Sequence, residues 1–281
     1  MSVSGSCTDP NRMYPRRPRG ESTRLAAPAA RSVRTSDANA SPSGQWRELI
    51  GMLSPAFHVL APDSYGAGRS PEWPSGRVIR LSDEAALLET VFAKAGSPFA
   101  LVGHSYGAAI ALVAALADPG RVRALALYEP TLFSLIDGES PPPNGADGIR
   151  RTVAEASAAL DAGDAGTAAR LFIDYWMESG SWQRMPDDRK PPIAASVVNV
   201  RRWAHALLTE PASLSAFRSL DIPVLLMTGG KTTDAARGVT RLLAGALPRV
   251  EIASFDALGH MGPITHPAPV NRAIARFLGL E

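Results

Sequence analysis

Five residues, Gly103-His104-Ser105-Tyr106-Gly107, constrain this 281-residue chain more than any others. Directly before them runs Phe99-Ala100-Leu101-Val102, a short apolar segment of the kind that forms a strand buried on both faces. Directly after them, Gly107 to Ala117 is a run of small and aliphatic residues that reads as a helix. A chain that passes from strand to helix this abruptly needs glycines where side chains would collide, and it lifts the apex residue, Ser105, above the sheet edge. The Tyr106 amide then falls at the helix N-terminus, where unpaired amides favour an anion. Five-residue patterns recur by chance. The strand before and the helix after make this one a nucleophile elbow and not an ordinary turn serine.

The same alternation continues on both sides. Trp46, Leu49, Ile50 and Leu53 have helical spacing, and Phe57 to Ala61 is a short apolar run closed by Pro62-Asp63 and the turn Gly66-Ala67-Gly68. Leu81 to Ala95 predicts a helix, Val122 to Tyr128 a strand, Pro223 to Met227 a strand and Asp234 to Leu247 a helix. Val250 to Phe255 predicts another strand and Val270 to Leu278 a final helix. Strands alternating with helices imply an α/β fold, a mostly parallel sheet covered on both faces. Residues 131–219 interrupt the pattern with a Pro/Gly-rich stretch, Gly138 to Gly148, and a mostly helical region. They are expected to form a helical lid inserted into one core built from 41–130 and 220–281. Phe172, Tyr175 and Trp176 sit at helical spacing there, which reads as packing inside the lid before it reads as a binding surface.

Two further segments carry a resemblance. Asp63-Ser64-Tyr65-Gly66-Ala67-Gly68-Arg69-Ser70 is similar to the D-x-x-G-x-G-x-S turn of the α/β-hydrolase family. Ala257-Leu258-Gly259-His260-Met261-Gly262-Pro263 is similar to its G-x-G-H loop, with Ala257 in place of the first glycine. With the elbow, the chain resembles that family from about residue 45 onward. The resemblance implies Ser105 as nucleophile and His260 as base. His266 is followed by Pro267 and reads as the start of the last helix, while His58 and His205 read as strand-core and lid residues. His104 is expected to point away from Ser105 and to pack or line the pocket wall.

The third member of the set stays open between two carboxylates. Most of the family places an Asp three residues beyond the glycine that ends its seventh strand. Here that spacing from Gly229 reaches Thr232, and Asp234 comes two residues late. In a variant of the family the acid closes the sixth strand, where this chain has Glu129 after Leu127-Tyr128. Either could fix the imidazole tautomer and stabilise the imidazolium. A serine nucleophile and histidine base suit acyl transfer, with an oxyanion held by backbone amides. Hydrolysis of an ester or thioester of a small apolar substrate leads, followed by lactone or carbon–carbon bond hydrolysis. A non-catalytic binding protein is the alternative from another class. No metal cluster, phosphate loop or dinucleotide fingerprint is present in the sequence, so no cofactor is expected.

Composition limits the rest. The net charge of +2 gives no electrostatic case for nucleic acid, and no segment approaches the roughly 20 apolar residues of a membrane span. A single cysteine, Cys7, points to a reducing, cytoplasmic setting. Residues 1–40 carry seven arginines against Asp9, Glu21 and Asp37 and read as a disordered basic tail. That reading conflicts with the resemblance, which needs a central strand near Ala30 to Ser36 and an oxyanion loop at Asp37 to Ala40. Arg31 and Arg34 make a poor central strand, since an unpaired buried charge costs several kcal/mol. Asp37 and Ala38 stand where the family has His-Gly, although the Asn39 amide could still serve as an oxyanion donor. Either the N-terminal strands are lost, or the first 35-odd residues come from a shifted reading frame. Three lysines against 26 arginines suit GC-rich coding DNA, in which such frames stay open.

Overall fold

The computed structural model describes residues 31–36, 43–67, 70, 72, 76–94 and 96–280. Six strands, β1 (Arg31–Ser36), β2 (Phe57–Leu60), β3 (Phe99–His104), β4 (Val122–Tyr128), β5 (Val224–Gly229) and β6 (Val250–Phe255), form one sheet in the order β2-β1-β3-β4-β5-β6. Every neighbouring pair is parallel. Strands buried on both faces should be apolar throughout, and β3 and β4 meet that condition almost residue by residue. Leu101, Leu125, Leu127, Val224 and Leu226 point to one face. Ala100, Val102, Ala124, Ala126, Leu225 and Met227 point to the other, as the two-residue period of a strand requires.

Helices cover both faces. α1 (Arg47–Leu53) is followed by α2 (Leu81–Leu87), α3 (Glu89–Lys94) and α4 (Tyr106–Ala117). Between β4 and β5 lie α5 (Ser134–Glu139), α6 (Asp147–Asp161), α7 (Ala165–Trp176), α8 (Ser181–Arg184), α9 (Lys190–Val197), α10 (Val200–Leu208) and α11 (Leu214–Arg218). Last come α12 (Asp234–Ala246), α13 (Gly262–Thr265) and α14 (Pro267–Phe277). Leu49 and Leu53 of α1 and Val270 and Ile274 of α14 pack on one face of the sheet, while α4 and α12 pack on the other. The helix expected over 81–95 is divided at Leu88, and Asp83 caps its start by accepting the Arg80 amide at 3.1 Å. Among the described residues no helix is long and apolar enough to cross a membrane.

The N-terminal expectation needs correction over six residues. Residues 31–36, assigned from composition to a tail spanning 1–40, form β1 inside the sheet, hydrogen-bonded to β2 on one side and β3 on the other. The backbone ladder is indifferent to side-chain charge, and Val33 supplies a fully buried anchor in the core. Among the described residues no strand precedes β1. The remainder of the expected tail, residues 1–30, and the expected oxyanion loop at 37–40 with Asn39 lie outside the described residues. Gly68 and Arg69 of the turn after β2 lie outside them too.

Candidate active site

At the end of β3 the chain reaches Ser105 with φ 55° and ψ −117°, and α4 begins at the next residue. Such a positive φ costs a non-glycine residue of order 1–3 kcal/mol and persists only where its surroundings impose it. Here they do. The Ser105 amide donates to the Tyr128 carbonyl at 3.0 Å, and its own carbonyl accepts from Ala109 at 3.1 Å. Gly103 permits the abrupt turn, because a Cβ there would stand 2.6 Å from the Ala108 Cα. The Tyr106 amide opens α4, so helix geometry leaves it without an intrahelical acceptor. Its phenol is buried and donates to Glu84 of α2 at 3.3 Å. Burial pushes Glu84 up to about 7, with the Tyr106 hydrogen bond opposing and nearby Asp83 adding to the rise.

His260 lies in the loop after β6, and two buried donors hold that loop. The Tyr128 hydroxyl donates to the Gly259 carbonyl at 2.8 Å, and His104 Nε2 donates to the His260 carbonyl at 2.8 Å. The His260 Nε2 atom stands 2.9 Å from Ser105 Oγ, and Nδ1 stands 2.7 Å from Glu129 Oε2. A carboxylate only accepts, so Nδ1 carries the proton and Nε2 presents its lone pair to the serine hydroxyl. All three side chains are buried.

Glu129 follows β4 directly and, with φ 43°, joins Ser105 as a described non-glycine residue at positive φ. Its carboxylate is saturated with donors. Oε1 accepts from the Gly229 amide at 2.7 Å and the Thr228 hydroxyl at 3.1 Å, and Oε2 accepts from the Thr232 hydroxyl at 2.6 Å besides His260. Burial pushes its pKa up, but the hydrogen bond and charge of His260, with Thr232 and Gly229, outweigh burial and hold the group below the usual carboxylate range. Asp234, the second candidate acid, is not brought to the imidazole. It is the first residue of α12, exposed, beside Arg237 in a separate hollow. The position three beyond Gly229 holds Thr232, which reaches the site as a donor to Glu129.

The other histidines fall elsewhere. His104 is fully buried and packed beneath the loop, so it does not line the cavity. Burial first, and the proximity of His260 second, keep its ring neutral. The His104 Nδ1 atom stands 3.2 Å from Gln45 Oε1; with Nε2 donating, a neutral ring calls for the Gln45 amide nitrogen in that place. His58 is exposed on β2, not in a strand core, and among the described residues β2 has a neighbour on only one side. His205 is exposed on α10, and His266 precedes the first residue of α14.

A cavity of about 1100 Å³ opens over Ser105 and His260. Phe172, Ile173 and Trp176 of α7, Ile193 of α9 and Met261 supply much of its apolar wall. The inserted helices are tied over it by a hydrogen bond from Asn199 to Glu72 at 2.8 Å. The reading of Phe172 and Trp176 as interior packing therefore needs extension. Both are largely buried, and both also face the cavity. Nothing in the spacing of the sequence separates those two roles. Among the described residues no three His, Cys, Asp or Glu side chains converge as a metal site would.

Geometry of this kind has clear relatives. The chain is 30% identical to lipase LipV of Mycobacterium tuberculosis, over 83% of this chain and 88% of that protein. A Pseudomonas syringae relative bearing the provisional name carbamate hydrolase RutD is 27% identical, over 84% and 89%. Among solved structures, the α/β hydrolase MGS-M2 from a Medee basin deep-sea metagenome superimposes with a TM-score of 0.73 at 16% identity, covering 91% of each chain. A sequence profile of the alpha/beta hydrolase fold matches residues 38–267. Sheet order, inserted helices and sequence profile agree, and the chain belongs to the α/β-hydrolase family as one of its hydrolases.

Proposed function

We propose that this chain is a serine hydrolase that cleaves a carboxylic ester or thioester bearing an apolar group, through an acyl-enzyme. The continuous hydrogen-bonded path from Ser105 Oγ through His260 to Glu129, at the floor of the cavity, carries this reading. Ser105 Oγ attacks the carbonyl carbon while its proton passes to His260 Nε2. The oxygen that gains charge is held by the Tyr106 amide, with the Asn39 amide as the proposed second donor. His260 then returns the proton to the leaving oxygen or sulfur. Water, deprotonated by the same nitrogen, releases the acid. Glu129 keeps Nδ1 protonated throughout and stabilises the imidazolium. Residues 131–219 act as the lid, and their apolar wall takes the acyl or alcohol group.

Incubation with a fluorophosphonate probe tests the reaction. Wild-type protein labels and Ser105→Ala does not. A folded wild type that fails to label identifies a binding protein that has lost catalysis. A series of p-nitrophenyl esters of rising chain length then measures what the cavity accepts.

A further inference from the structure

Trp176, the last residue of α7, lies flat on the imidazole of His260, with ring centroids 4.0 Å apart and planes 29° from parallel. Its other contacts fix it there. Tyr175 meets its ring edge-on at 4.8 Å, Phe172 packs T-shaped at 6.2 Å, and Phe133, in the segment after β4, stacks at 6.4 Å. The face of an indole is electron-rich and attracts a cation above it, more strongly where water is excluded, and both rings are buried here. A neutral imidazole gains mainly packing from such a neighbour. An imidazolium gains charge–quadrupole attraction as well. The contact is therefore stronger after His260 has taken the serine proton than before, which is the condition an interaction must meet to accelerate a step.

We propose that Trp176 is a positioning residue of the acid–base machinery: it holds the His260 ring in plane with Ser105 and Glu129 and stabilises the imidazolium formed during acyl transfer. The inference rests on the proposed serine-hydrolase mechanism. Among the described residues, the charged and titratable groups facing His260 from the other elements are Glu129 after β4, Tyr128 at the end of β4 and His104 at the end of β3. Glu129 is saturated with donors, the Tyr128 phenol is raised further above its usual range by burial and by Glu129, and His104 is held neutral. Trp176 supplies the aromatic face against the imidazole from the inserted helices, so base strength becomes coupled to where α7 sits.

The test compares Trp176→Phe, which keeps an aromatic face, with Trp176→Leu, which keeps an apolar one. Both are assayed on p-nitrophenyl butyrate from pH 5 to 9, with fluorophosphonate labelling measured in parallel. Trp176→Leu should lose about tenfold in kcat, with Trp176→Phe within about threefold of wild type. The acid limb of the Trp176→Leu profile should move to lower pH, because an imidazolium without its indole releases its proton more readily. Simple loss of burial would move the limb the opposite way. A limb that stays or rises, or a loss confined to KM and equal in both variants, overturns the proposal. A second readout does not depend on the leucine variant folding. A protonated imidazole quenches indole emission, so wild-type fluorescence should change in a step as pH is lowered, and both Trp176→Phe and His260→Ala should abolish that step. Absence of that step, or its survival in His260→Ala, also overturns the assignment. If wild type itself does not label, the mechanism has failed; if it labels and these differences are missing, only the role of Trp176 has.

Discussion

Within the sheet β4 and β5 run side by side, and each is followed by a carboxylate a few residues beyond its end at most, yet the two ends are used oppositely. β4 delivers Glu129 to the imidazole on a strained backbone. β5 delivers donors in its place: the Thr228 hydroxyl, the Gly229 amide and, from the loop beyond, the Thr232 hydroxyl all point at Glu129, while Asp234 starts α12 facing solvent. A buried carboxylate needs its lone pairs filled, and four donors, the His260 ring among them, achieve that. The carboxylate that meets the imidazole thus follows β4, and the end of β5 with the loop beyond it supplies that carboxylate's support.

The sharpest way to break this contrast is to neutralise each carboxylate. Glu129→Gln should lower kcat/KM by about 10³–10⁴-fold, because the amide can donate to Nδ1 and so stabilises the wrong tautomer. Asp234→Asn should remain within about threefold of wild type, as expected of a surface substitution. Equal losses in the two variants would remove the distinction. Next in size is the reverse transfer. In a Glu129→Ser background, Thr232→Asp should recover at least about tenfold in activity, since Thr232 Oγ1 already occupies the space beside Glu129 Oε2. With Glu129 retained, the same Thr232→Asp change sets two carboxylates against each other and should reduce activity. Thr232→Val, which removes one donor, should cost about 1.5–3 kcal/mol of stability in urea titration, the usual worth of a hydrogen bond to a charged group.

The smallest effect separates two kinds of buried carboxylate. Glu129 is held low by its partners, whereas Glu84, with the Tyr106 phenol as its side-chain donor, is pushed up to about 7 from 4.5. A raised carboxylate pKa means that the contribution of Glu84 to stability is full below about 4.5 and is lost as pH rises through about 7. Thermal melting from pH 4.5 to 8 should therefore decline more steeply in wild type than in Glu84→Gln. Parallel curves would show that Glu84 does not titrate in that range.

The comparison also explains what could be read in advance. Ser105 was legible because strand, turn and helix are contiguous, so sequence alone contains the whole local geometry. His260 was legible from its place in a loop after the last strand. The choice between Glu129 and Asp234 was not, because it depends on contacts between positions about 100 residues apart in sequence, Glu129 with Thr228, Gly229 and Thr232. Composition misjudged β1, since arginine and serine content says little about a ladder built from backbone groups. It also gave no sign that Trp176 packs against His260, as a helical stripe of aromatics looks the same whether its far side meets a helix or an imidazole.

The separation of the three side chains along the polypeptide has a consequence for when the protein becomes reactive. Ser105 and Glu129 stand 155 and 131 positions before His260. During synthesis the elbow and its carboxylate emerge early, and the base arrives only after the inserted helices, β5 and β6 are made. A strained serine without its imidazole is a poor nucleophile. Under the proposed mechanism, reactivity therefore switches on with the docking of β6 and the loop that follows it, and chains that stall before they emerge stay chemically silent. Labelling of Ser105 in a growing or unfolding population would count molecules whose two chain-distant halves have closed.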